Sequence, residues 1–124
     1  MSEKAILEIA TQTKVRLAAH WADCLEFNLA DHCAEAHAAV DQAVDRYFAD
    51  LTSLPHPVDE AKLIGAMKVL FSDLDGLSSR FGSGLLETDE RELIVTSVLN
   101  AATAAGLDLT RYSDGDPTLP FRNF

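Results

Sequence analysis

A chain of 124 residues with 48% hydrophobic and 24% charged side chains has the composition of one globular domain, residues 1–124, and not of a disordered segment. Ten basic against twenty acidic residues leave a formal charge of −10, a field that repels nucleic acid and anionic lipid and attracts basic protein surfaces. With no apolar run of the ~18–20 residues that a bilayer span needs, no signal-peptide pattern in MSEKAILEIATQTKVR and too few cysteines for a disulfide scaffold, the expectation is a cytoplasmic protein with reduced thiols that binds neither nucleic acid nor membrane.

Apolar residues recur at helical spacing after Ser2, through Ile6, Ala10, Leu17, Trp21 and Leu25, with Ser2 as the N-cap. A second stripe, Leu29, Cys33, Ala36, Val40, Val44, Tyr47 and Leu51, steps by three and four residues and predicts a second amphipathic helix. One rod from Ser2 to Leu51 would run ~75 Å, too long for this chain unless it dimerises. A break is therefore expected at Asn28 to Asp31, where Asn can turn left-handed and Asp can cap the next helix. The stretch TSLPHPVD ends helix two, and Pro57 is placed to open helix three. That helix runs to about Phe81 and buries Leu63, Ile64, Met67, Leu70, Phe71, Leu74, Leu77 and Phe81. Gly82 and Gly84 supply positive backbone angles for the turn after it.

The fourth helix starts in LETDERE, with Thr88 as the cap acceptor and Asp89, Glu90 and Glu92 where the helix dipole favours negative charge. It continues through Leu93 to Ala105, apolar over most of its circumference, which predicts a place near the bundle centre. The remainder, DLTRYSDGDPTLPFRNF, is interrupted by Pro117, Pro120 and an Asp-Gly-Asp turn. Tyr112, Leu119, Phe121 and Phe124 are expected to dock it, each gaining ~1.5–3 kcal/mol if fully buried. The predicted fold is all-α, a four-helix bundle with an irregular C-terminal tail packed on it.

Two pairs of ligand-type residues at i, i+4, His20 with Cys24 and Cys33 with His37, would make a tetrahedral Cys2His2 zinc site if the break and register let them meet. The plainer reading treats the cysteines as small core residues and the histidines as boundary residues, with no metal and no cofactor. No Glu-x-x-His pair, Gly-rich phosphate loop, Gly-x-Ser-x-Gly elbow or His-Glu-x-x-His occurs. No catalytic residue stands out, and a non-enzyme is expected.

Between His20 and Leu51, seven acids face the single base Arg46. A wheel at 100° per residue puts Asp31, Glu35, Asp41, Asp45 and Asp50 on the half opposite the apolar stripe. Like charges at i, i+4 cost about 0.2–0.5 kcal/mol, so stability does not select them. Either they form a solvated face that keeps the chain dissolved, or they are a contact surface for a basic protein partner.

The segment Gly84 to Leu107, GLLETDERELIVTSVLNAATAAGL, resembles the C-terminal helix of small bacterial all-helical proteins, some of which act as immunity proteins beside secreted toxins. It covers about a fifth of the chain. The resemblance implies a non-enzymatic inhibitor that binds a toxin and blocks its active site, and it carries over no binding residue. A basic, nuclease-like toxin would suit an acidic face. Two other readings stay open: an oligomeric helical scaffold or regulatory subunit, simplest as a homodimer, and a small metal-binding enzyme using His20, Cys24, Cys33 and His37.

Overall fold

The computed structural model describes residues 2–55 and 57–123, without the side chain of Ser2. The side chain expected to cap α1 at Ser2 and the docking of Phe124 lie outside what is described. Four helices, α1 (Ser2–Glu26), α2 (Ala34–Thr52), α3 (Glu60–Phe81) and α4 (Thr88–Ala104), are followed by 3-10 turns at Leu109–Arg111 and Ser113–Gly115. There is no strand among the described residues, and the bundle is all-α with a short C-terminal tail, as the periodicity predicts.

The break between α1 and α2 falls where it was expected. Asn28 adopts φ 51°, and Leu29 N donates to Cys24 O at 3.0 Å while Asn28 N donates to Leu25 O at 3.3 Å, the paired bonds of a Schellman ending. Leu25 and Leu29, assigned to buried stripes, lie at this ending and are 44% and 49% exposed. Asp31 does not cap α2 and precedes it. The cap is Cys33, whose Sγ accepts from Ala36 N. Asp31, itself at φ 70°, instead accepts a hydrogen bond from Gly84 N at 2.8 Å, joining the α1–α2 loop to the α3–α4 loop.

That junction accounts for both glycines, Gly82 as the sequence reading expects and Gly84 for a different reason. Gly82 has the expected positive φ, 122°, and a Cβ there would also lie 2.2 Å from the Asp31 carboxyl carbon. Gly84 lacks a positive φ. It is required by close approach, since a Cβ would sit 2.7 Å from Asp31 Oδ2.

Two other helix starts move by a residue or more. α3 is capped by Asp59, which accepts from Ala61 N and Lys62 N, so Pro57 lies outside the helix. α4 begins with a capping box in which Glu87 is the cap and Glu90 Oε1 accepts from Glu87 N at 2.8 Å. Thr88 is merely the first helical residue.

α2, not α4, is the central element: it packs on α1 and α3 and more lightly on α4, while α4 leans on α1. The reason is the width of its apolar side. Ala36, Val40, Ala43, Val44, Tyr47, Phe48 and Leu51 are all buried, whereas Leu93, Val95 and Leu99 of α4 are only half-buried. α3 contributes Leu63, Met67, Leu70, Phe71 and Leu74. The buried Tyr47 hydroxyl donates to Val98 O at 2.9 Å and ties α2 to α4.

The tail runs beside α3 in the same direction. Tyr112 bonds Glu60, Arg111 pairs with Glu60 at 3.1 Å, Phe121 lies against Phe71 and beneath Lys68, and Asn123 reaches Asp75 at 2.7 Å. Between these contacts, Asp116 collects Thr118 N and Arg122 Nη2, each at 2.8 Å. This knot buries Pro117 and Thr118 and turns Leu119 outward, so Leu119 is 42% exposed and not docked.

Candidate functional site

The five acids singled out from sequence do not form a uniform face. Glu35, Asp45 and Asp50 lie along the outer part of α2 and engage surface bases: Arg80 with Glu35 at 2.5 Å, Lys14 with Asp45 at 3.2 Å and Arg46 with Asp50 at 4.0 Å. Exposed ion pairs of this kind contribute about 0–1 kcal/mol and exchange readily. Asp31 is committed to Gly84 N. Asp41 is half-buried and accepts from Trp21 Nε1 at 2.9 Å; burial pushes its carboxyl above the ordinary range, partly offset by the indole bond. Asp41 is therefore a positioning partner for Trp21.

A second constellation lies where α1, the α1–α2 loop and the start of α4 meet. His20 and Cys24, one turn apart, face the same side of α1, and the first turn of α4 brings Glu90 to them. His20 Nε2 is hydrogen-bonded to Glu90 Oε2 and lies 3.5 Å from Cys24 Sγ. Cys24 and Glu90 are buried, and His20 is partly open to a cleft of about 330 Å³ lined by Leu29, Ala30, His32, Glu87, Thr88 and Asp89. Cys33, at the α2 cap, does not join them among the described ligand groups.

His37 takes a different place from the boundary position expected of it. It is 4% exposed and stacks on Trp21 with ring centroids 4.1 Å apart and planes 10° apart. Its Nε2 meets His32 Nδ1 at 2.8 Å, and His32 Nε2 meets Gly84 O at 3.0 Å. The carbonyl can only accept, so His32 carries its proton on Nε2. With both rings neutral, His37 donates from Nε2 and keeps a bare lone pair on Nδ1, the one buried side-chain nitrogen or oxygen without a partner among the described residues. Burial first, then the neighbouring His32 and His20, lowers its pKa to about 4, against a smaller opposing effect of Glu90.

Cysteine, imidazole and carboxylate in contact suggest a nucleophilic triad, but the geometry is wrong for one. A triad needs the acid on one ring nitrogen and the nucleophile on the other, whereas here Nε2 alone faces both Glu90 and Cys24. Burial, followed by the nearby charges of Glu90, Asp23 and Asp89, pushes the Cys24 thiol upward, opposite to what activation requires. The three groups present lone pairs converging on one region.

Sequence reasoning missed Glu90 and His32. Glu90 is legible in the sequence only as a first-turn acid of α4; in the structure it is the N3 residue of the capping box, and its capping oxygen is only one of its two, the other facing α1. Neither a family model, nor a curated protein, nor a solved structure matches this chain.

Proposed function

We propose that the protein is a non-enzymatic binding module, an inhibitor of the immunity type, that docks on a basic protein surface such as a toxin's through the outer face of α2. The observation that carries this reading is that Glu35, Asp45 and Asp50 sit at the surface in exposed ion pairs, within a region where acids outnumber bases seven to one. A partner's lysines and arginines can replace those pairs at little cost, and the field steers their approach. Asp31 and Asp41 support the surface from within, through Gly84 and Trp21.

The test is affinity capture from the source cell at low salt, followed by titration of the recovered protein. A basic partner is expected, with affinity that falls steeply with salt and at least tenfold in the triple variant Glu35→Lys, Asp45→Lys, Asp50→Lys. Asp41 is unsuitable for charge reversal because Trp21 would lose its acceptor. An acidic partner, or affinity indifferent to salt and to the triple reversal, overturns the reading.

A second reading, pairing of two copies, is favoured by one observation. On α1, Leu7, Thr11, Val15, Ala18, Ala22 and Leu25 are all exposed and step by three and four residues along a helix of 25 residues, the spacing at which helices pair.

A further inference from the structure

We propose that His20, Cys24 and Glu90 bind a divalent transition-metal ion of the zinc type through Nε2, Sγ and a carboxylate oxygen, with one open position facing the cleft. This goes beyond the protein-binding reading and does not rest on it. The three ligand atoms all lie within 4.8 Å of one another. The Nε2 to Sγ separation of 3.5 Å matches the roughly 3.5 Å edge of a tetrahedron with metal–sulfur near 2.3 Å and metal–nitrogen near 2.0–2.1 Å.

Hydrogen bonding alone serves the cluster poorly. The bond between Nε2 and Glu90 leaves the Cys24 sulfur lone pairs unused, while a cation that displaces the thiol proton to solvent meets nitrogen, sulfur and oxygen at once. The supporting shell is present: Glu90 Oε1 is fixed by Glu87 N, which orients the carboxylate and leaves Oε2 toward His20. An entry path is present too, because the His20 side chain is 22% exposed at a cleft whose rim carries Glu87 and Asp89, acids that concentrate cations. Thiolate and imidazole select zinc or cobalt over magnesium or calcium. Three protein ligands and an open fourth position are the pattern of sites that hold a water or a small anion.

The decisive measurement is titration of chelator-stripped full-length protein with Co²⁺. One equivalent should bind and produce the thiolate-to-cobalt charge-transfer band and intense visible bands of a four-coordinate ion, both abolished by one equivalent of Zn²⁺ and untouched by excess Mg²⁺. Cys24→Ala should lose the charge-transfer band and Cys33→Ala should keep it. Glu90→Gln, which retains the capping box, and His20→Ala should each weaken binding at least tenfold. Circular dichroism checks folding, and because each of the three ligand variants decides separately, failure of one to fold leaves two. Zn²⁺ should also raise the wild-type Tm. Absence of stoichiometric Co²⁺ uptake by the folded wild type, a charge-transfer band that survives Cys24→Ala or vanishes with Cys33→Ala, or unchanged affinity in Glu90→Gln and His20→Ala overturns the site.

Discussion

His37 shows how one side chain can set the pH response of a fold. Its imidazole is stacked on Trp21, bonded to His32 and faced by His20 and Glu90, and its pKa is about 4 against an ordinary 6.5. Between those values the unfolded chain takes up a proton that the folded chain refuses, so stability is complete above pH 6.5 and declines as pH falls toward 4. The gap corresponds to about 3 kcal/mol at most. Urea denaturation across pH 4–7 should show this decline, and His37→Phe, which keeps a ring against Trp21, should flatten it. A wild-type stability constant across that window would refute the assignment. Tyr47, by contrast, is silent over the same range, because burial drives its hydroxyl pKa upward.

Among the elements, the junction of the two loops is the most demanding piece of geometry. An alanine at position 82 would combine an unfavourable φ of 122° with a Cβ 2.2 Å from the Asp31 carboxyl carbon. Gly82→Ala is expected to cost about 2 kcal/mol or more, read from the denaturation midpoint, and to cost less in an Asp31→Gly background, which already lacks the bond to Gly84 N and leaves the backbone part alone. Equal destabilisation with and without the second change would show that the clash is not felt. The helices themselves were legible because a buried stripe repeats every three to four residues, and Asn28 was legible because few side chains end a helix left-handed. The caps were less so: Ser, Thr, Asp, Glu and Cys can all accept a bond, and the residue that does so depends on where the chain turns. Of the candidate site, the His20–Cys24 spacing was readable along one helix. Glu90 was not assigned to it, because position within α4 does not say which side chain of α1 lies opposite. Cys33 left the constellation when the loop placed it as a cap, and Asp41 turned inward because Trp21 offered it an indole N–H.

For the whole molecule, the two proposed readings call on different surfaces. The proposed basic partner would use the acidic outer part of α2, while a second copy would use the stripe from Leu7 to Leu25 on α1, about 27 Å long at 1.5 Å per residue. Pairing through that stripe predicts a dimer by light scattering that dissociates in Val15→Lys; Val15 is 65% exposed, so this change should leave the monomer's Tm nearly unmoved. A wild-type monomer at high concentration excludes pairing. Neither surface involves the tail, whose work lies elsewhere. Because Tyr112, Phe121 and Asn123 engage the first turn, the middle and the third quarter of α3 in chain order, a nascent chain emerging from the ribosome would leave Phe71 incompletely covered until residues near 123 had cleared the exit tunnel. Chaperones that recognise bare aromatic side chains would have their opportunity in that interval, before the bundle closes.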